Sequence, residues 1–312
     1  MNTSNLDAVT FGETMAMLIA EEPGPLAQVG RFIKRVAGAD SNVAIGLARL
    51  GLRVGWVSRL GADSFGEYVQ QTLQREGVDT SHVAIDPQRS TGCMLKGRAE
   101  GGADPKVEYY RRGSAASALS LGDFDSAYFL GARHLHATGI TPALSAGAAE
   151  LTEQAMRRMR AAGRSVSFDP NLRPRLWPSE VVMRERLNHL AGLSDWVLPG
   201  LAEGRLLTGL HEPRDIAGFY LDRGARVVVV KLGPAGAYLR SADAELTAPG
   251  VLVEKVVDTV GAGDGFAVGF ISACLDGLAW TEALQRANWI GAQAVQTLGD
   301  VDGLPTRERL QV

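Results

Sequence analysis

The run Asp258-Thr259-Val260-Gly261-Ala262-Gly263-Asp264-Gly265-Phe266 places a carboxylate among small residues at the entrance to an apolar stretch. Glycines at a helix start let backbone N–H groups converge without side-chain obstruction. Those N–H groups and the helix dipole together make a site for an anion. Phosphoryl transfer needs such a site, because negative charge must be stabilised where it develops. The backbone of Gly261, Ala262 and Gly263 would hold that charge, and Asp264 beside them can accept the proton of an attacking hydroxyl. Other readings stay open. Alternate glycines also mark a dinucleotide fingerprint, but that needs a second strand ending in an acidic residue about 20 positions on, and helical patterns follow here instead. A Walker-type loop is excluded, since the chain has no Gly-Lys-Ser/Thr. A plain glycine turn before a buried helix is the third reading.

Two further segments could serve the same chemistry. Gly38-Ala39-Asp40-Ser41-Asn42-Val43-Ala44 leads into a helix whose Val43, Leu47 and Leu50 share a face. Polar groups at such a start, with Gly38 and Asn42 as candidates, can bind a ligand hydroxyl; ordinary capping by Asp40 or Ser41 explains them equally. Lys231-Leu232-Gly233-Pro234-Ala235-Gly236-Ala237 follows a run of valines. A turn at the end of a buried parallel strand is where α/β sheets bind ligands, although a tight strand-to-strand turn would look the same.

In order and spacing, these three segments resemble the two signature regions and the nucleotide loop of the ribokinase-like (PfkB) sugar kinases, and the likeness covers nearly the whole chain. The resemblance implies a three-layer α/β/α sandwich with a mostly parallel central sheet and a small β-sheet lid. It also implies ATP bound by Lys231, Gly233, Gly236, Gly261 and Gly263, with Asn288 bordering the adenine and Asp264 as catalytic base. Magnesium is implied too, held largely through phosphates and water, and there is room for a monovalent cation such as K+. Members commonly carry an Asn-x-x-Glu motif tied to the metal. Here Glu203 is in place, to act indirectly through water, but Gly200 stands where the Asn would be.

A narrower likeness addresses the substrate. Tyr109-Tyr110-Arg111-Arg112-Gly113-Ser114-Ala115-Ala116-Ser117, His136-Ala137-Thr138-Gly139-Ile140-Thr141 and Phe168-Asp169-Pro170-Asn171-Leu172-Arg173-Pro174-Arg175-Leu176-Trp177 together resemble the branch acting on 2-keto-3-deoxygluconate (KDG). That branch implies Tyr109, Arg111 and Arg173 as substrate-binding residues and the C6 hydroxyl as acceptor. The chemistry agrees, since KDG carries a carboxylate and a planar guanidinium pairs with one. Against this, adjacent Arg111 and Arg112 can be a solvated charge pair, and Arg173 can bridge to Asp169. Gly12-Glu13-Thr14 offers no Asp of the kind that binds two hydroxyls in kinases of neutral sugars, which disfavours ribokinase itself. The alternatives are a fructokinase, a 5-dehydro-2-deoxygluconokinase, or a catalytically silent sugar-acid sensor.

The elements that must position these residues show in the periodicity. Apolar runs Val54–Ser58, Arg133–Thr138, Ser165–Asp169, Asp195–Leu198 and Arg226–Lys231 read as strands, and Val251–Val257 as a strand leading into the glycine loop. Leu151, Ala155 and Met159 share one helix face; Ile216, Phe219 and Tyr220 share another. Such alternation argues for a parallel sheet covered on both sides. The valines of Arg226–Lys231 run unbroken, as in a strand buried on both faces. Gly265 to Leu298 reads as helices. Two stretches, about 11–37 and 91–112, break the pattern with scattered charge, and Ala16–Ala20 and Val107–Tyr110 within them read as strands of the lid. The whole chain, 1–312, is read as one domain.

Composition bounds the rest. At 312 residues, 46% hydrophobic and 21% charged, the chain can bury a sizeable core. A net charge of −3 with no basic stripe argues against nucleic acid and anionic membranes as partners. The N-terminus lacks a signal pattern, and Phe266–Leu275 is far shorter than the roughly 20 residues a membrane span needs, so a cytoplasmic location is expected. Cys93 and Cys274 are expected as buried thiols, His134 and His136 as packed rather than metal-binding, and Trp177 and Trp289 as packing. An exposed β appendage implies a homo-oligomer.

Overall fold

The valines of Val227–Lys231 divide between two cores. Val227 and Val229 pack in one apolar cluster and Val228 and Val230 in the other, all essentially without solvent contact. A strand that feeds two cores must lie inside a sheet covered on both faces. In this computed structural model, which describes residues 6–98 and 105–310, it does. Strands β1 (Ala8–Phe11), β4 (Val54–Gly61), β5 (Val83–Asp86), β8 (His134–Thr138), β9 (Ser165–Asp169), β10 (Trp196–Val197), β11 (Val227–Lys231), β12 (Ala237–Ser241) and β13 (Glu245–Ala248) form a nine-stranded sheet. Its order is β13-β12-β11-β10-β9-β8-β1-β4-β5, parallel throughout except for the antiparallel β11-β12-β13 edge.

Helices α1 (Ala39–Arg49), α2 (Ser64–Arg75), α8 (Ala262–Leu275) and α9 (Trp280–Ala294) cover one face. Helices α3 (Ser126–Gly131), α4 (Ala146–Ala161), α5 (Glu180–Gly192), α6 (Leu201–Thr208) and α7 (Pro213–Leu221) cover the other. This is the expected three-layer sandwich. The expected helix faces pack inward: Leu151, Ala155, Met159, Ile216 and Tyr220 are all buried, while Phe219 is half-buried with the Arg223 guanidinium over its ring. The strands expected at Val54, Arg133, Ser165, Asp195 and Arg226 all form, within a residue or so at their starts; β4 continues to Gly61.

A second, four-stranded sheet, β3-β2-β6-β7, is built from β2 (Met15–Ala20), β3 (Phe32–Ala37), β6 (Cys93–Lys96) and β7 (Val107–Tyr110). All four strands fall in the two stretches expected to form the lid. Residues 99–104 of the second stretch lie outside the described residues. The lid has its own small apolar cluster of Met15, Met17, Ile19, Ala37 and Met94.

One expected strand is absent. Val251–Val257 does not pair with any strand, Leu252 is 95% exposed, and the N–H groups of Val257 and Asp258 both donate to the Val295 carbonyl at the end of α9. The chain leaves the sheet edge at Pro249-Gly250, so the apolar run has no neighbour to pair with. The glycine loop therefore hangs from a helix end. Cys93 and Cys274 are half-buried, less enclosed than their sequence context implies. His134 and His136 are packed as expected, sharing the Ser167 hydroxyl at 2.8 Å, and burial holds both rings well below the ordinary histidine pKa, His136 down to about 3.

Candidate active site

The carboxyl ends of β1, β8, β9 and β11 open into a cleft of about 450 Å³ beneath the lid. Asp264 lies in its wall, in the first turn of α8. Two amides hold it. Asn42 Nδ2 donates to Oδ2 at 2.7 Å and Asn171 Nδ2 to Oδ1 at 3.3 Å. Burial pushes the Asp264 carboxyl up from 3.8 to about 7, with the Asn42 bond working against it and the charges of Asp169 and Asp300 adding to it. A carboxylate poised near neutrality is suited to take a proton from an alcohol. Arg173 lines the same cleft and its charge favours the ionised form.

The N-terminus of α8 brings a glycine turn to the cleft. Gly261, its N-cap, has φ +87°, which favours glycine, and a Cβ there would sit 2.7 Å from the Asp300 carbonyl. Val260 N–H donates to Asp258 Oδ1 at 3.0 Å, which turns the loop. The Ala262 N–H donates to the Thr259 carbonyl at 3.4 Å, and its neighbours Gly261 and Gly263 line the cleft. A Cβ on Gly263 would lie 3.4 Å from Lys231 Nζ, so an ammonium flanks the loop. That ammonium bridges to Asp169 Oδ2 at 2.6 Å, which answers the alternative for Arg173: Asp169 is taken by Lys231.

Of the residues singled out in the sequence, Gly38, Asn42, Tyr109, Arg111, Arg173, Glu203, Lys231, Gly261, Gly263 and Asp264 line this one cleft. Gly233, Gly236 and Asn288 do not. They form a shelf beside it. A Cβ on Gly236, at φ +104°, would come within 2.0 Å of the Ala248 carbonyl, and Asn288 Nδ2 donates to Pro249 O at 2.9 Å and Ala248 O at 3.4 Å. Gly38 is the N-cap of α1, so neither Asp40 nor Ser41 caps it. Arg111 is not a solvated charge: its guanidinium is buried against Glu13, whose other oxygen accepts from the Ser114 hydroxyl. Arg111 Nε has no hydrogen-bond partner among the described residues. Glu203 accepts from Leu172 N at 2.8 Å and Gly200 N at 2.7 Å, which fixes the start of α6 to the Asn171-Leu172 turn.

Sequence reasoning missed several members. Asp40 lines the cleft, accepts from Thr138 and Thr141 hydroxyls at 3.1 Å each, and is pushed up to about 7 by burial. Lys96, Asp258 and Asp300 form a buried ionic cluster against the loop, with Asp300 also lining the cleft. Asn171 could have been found: an Asp-x-Asn turn suits a residue at positive φ, here +39°. Lys96 could not, since an isolated lysine in a lid strand carries no local signature.

The model of the "pfkB family carbohydrate kinase" matches residues 5–307. The chain belongs to the pfkB family of carbohydrate kinases. Among curated pfkB relatives, the 2-dehydro-3-deoxygluconokinase of Bacillus subtilis (strain 168) is 54% identical, covering 98% of this chain and 94% of the relative. Among solved structures, a PfkB protein from Polaromonas sp. JS666 superposes with a TM-score of 0.91 at 53% identity, over 98% of this chain and 99% of that one. A putative ribokinase II from E. coli in complex with ATP and Mg2+ superposes with a TM-score of 0.89 at 28% identity, over 97% of each chain. The pfkB fold thus accounts for the sandwich, for the lid and for a cleft between them.

Proposed function

We propose that this chain transfers the γ-phosphoryl group of ATP to the C6 hydroxyl of KDG, giving ADP and 2-keto-3-deoxy-6-phosphogluconate. The observation that carries the reading is Asp264, held by two amides at the head of a glycine loop and tuned near neutrality in a cleft that also holds Arg173. Asp264 accepts the hydroxyl proton as that oxygen bonds to phosphorus and the bond to the leaving ADP oxygen breaks. Lys231 and the backbone N–H groups of Gly261 and Gly263 stabilise the charge on the transferring group. Magnesium supplies charge neutralisation on the phosphates. The donors present suit a hydrated ion, since the Glu203 carboxylate is already held by two backbone N–H groups and that of Asp169 by Lys231. Glu203 and Asp169, both lining the cleft, would take its water shell. Gly200 in place of the usual Asn brings no side chain to that shell.

Substrate choice rests on the side chains that line the cleft. Arg173, Tyr109 and Arg111 line the cleft, and Glu13 neutralises the charge of Arg111. The substrate carboxylate therefore falls mainly to Arg173. The Bacillus subtilis relative's name supports the same substrate. Coupled ATP turnover with KDG, its galactonate epimer, fructose and ribose tests the reading. Turnover with KDG is expected, and Arg173→Ala should raise KM for KDG by about 10–100-fold, the worth of a charge-assisted hydrogen bond. Turnover confined to fructose or ribose would overturn the substrate; none with any of them would overturn the kinase.

A further inference from the structure

Lys96 ends β6 of the lid, yet its side chain is only 1% exposed. Its ammonium reaches across to the back of the glycine loop, where it meets Asp258 Oδ2 at 2.5 Å, Asp300 Oδ1 at 3.1 Å and the Leu298 carbonyl at 3.5 Å. Burying an ammonium costs several kcal/mol unless carboxylates offset it, so a lysine this enclosed has to be accounted for by what it holds. Both carboxylates shape the loop. Asp258 receives the Val260 N–H through its other oxygen, and the Asp300 backbone is the surface against which Gly261 packs without a Cβ. Burial works against the charge on Lys96, but Asp300 and Asp258 outweigh it. Without the ammonium, two buried carboxylates would repel each other directly behind a loop that must receive an anion.

We infer that Lys96 is a tethered cation that positions the phosphoryl-binding loop, doing from the lid strand what a free monovalent cation would otherwise do. A free cation such as K+ does not fit these oxygens, because the ammonium already takes them. The consequence is a kinase whose turnover does not depend on added K+, and whose anion loop is tied to the lid that covers the substrate. Lys96 is a positioning residue; Asp264 remains the base.

The inference rests on reading Asp258 to Gly263 as the phosphoryl-binding loop, so the test has one arm that does not use turnover. Wild-type enzyme is assayed with KDG and ATP in potassium and in tetramethylammonium buffers, beside Lys96→Ala in the same buffers and with methylammonium added. Wild-type turnover should agree within about twofold between buffers. In Lys96→Ala, kcat should fall by about 100-fold, with KM for KDG within about threefold, the pattern of a group acting only as charge develops. Potassium or methylammonium should then restore at least about tenfold of kcat. In the second arm, potassium should raise the melting temperature of Lys96→Ala and leave that of the wild type unmoved. Stimulation of wild-type turnover by potassium beyond about tenfold, or a folded Lys96→Ala with wild-type kcat, would overturn the inference. If Lys96→Ala does not fold, the wild-type comparison alone decides. Loss of all turnover by wild type in every buffer would instead count against the kinase reading, and the melting arm would still stand.

Discussion

Asp264 shows how one carboxylate can be useful and costly at once. Its pKa is pushed from 3.8 to about 7, mainly by burial. At about 1.4 kcal/mol per unit, holding it ionised above neutrality costs the fold about 4 kcal/mol. The sign follows from linkage: with the folded pKa raised above the unfolded one, stability present below pH 3.8 is lost as pH rises toward 7. In the proposed role of base, the same group works only when ionised. We therefore expect kcat/KM for KDG to rise with pH through a limb near 7. Asp264→Asn should reduce turnover by at least about 1000-fold. Its melting temperature, relative to wild type, should be more favourable at pH 8 than at pH 5. A flat profile from pH 5 to 8, or a stability difference independent of pH, would remove Asp264 from this role. Asn42→Ala removes the 2.7 Å bond that favours the ionised form, so the limb should move to higher pH and kcat at pH 7 should fall by about tenfold.

At the level of elements, the parts of the site that local sequence makes legible are those whose function is written in the backbone. The valine strand, the glycine loop before α8 and the turn after β11 each combine an apolar run with residues that allow a special conformation, and each sits where periodicity places it. The lid strands were legible as breaks in the α/β alternation. Contacts made across long sequence distances were not. Asn42 meets Asp264 across 222 residues, and Lys96 meets Asp300 across 204. Val251–Val257 misled for a different reason: β-branched residues favour a strand only where a partner strand is at hand, and the chain had already left the sheet edge. Gly236 tests the shelf that results. Its φ of +104° leaves no room for a side chain, because a Cβ there would stand 2.0 Å from the Ala248 carbonyl. Gly236→Ala should shift the β11-β12 turn, lower the melting temperature by several degrees and weaken ATP binding, measured calorimetrically, more than KDG binding. Equal loss of both affinities would mean that the shelf does not serve the nucleotide.

For the whole molecule, the two main cores and the lid differ in how firmly they are held. The sandwich buries an apolar cluster on each face of its sheet, whereas the lid has a small cluster of Met15, Met17, Ile19, Ala37 and Met94. Segments with few buried apolar contacts open first. The lid is also held unevenly. Its β3 edge is tied down, with Lys34 over the Tyr68 ring of α2 at 4.0 Å and Arg35 paired to Asp302 at 3.0 Å. Lys96 pins the end of β6 to the glycine loop. The opposite edge, β7, has Tyr109 at 47% and Tyr110 at 56% exposure and carries one of the residues proposed to meet substrate. Closure over KDG should therefore be a movement of β7 against a fixed β3, excluding water that would otherwise accept the phosphoryl group. Hydrogen exchange followed by mass spectrometry provides the measurement. Saturating KDG should slow exchange most across Val107–Tyr110, less at Cys93–Lys96 and least at Phe32–Ala37, with the nine-stranded sheet unchanged. Uniform slowing across all four lid strands would show a lid that moves as one body, and protection confined to the sheet would show that the lid takes no part in binding the sugar acid.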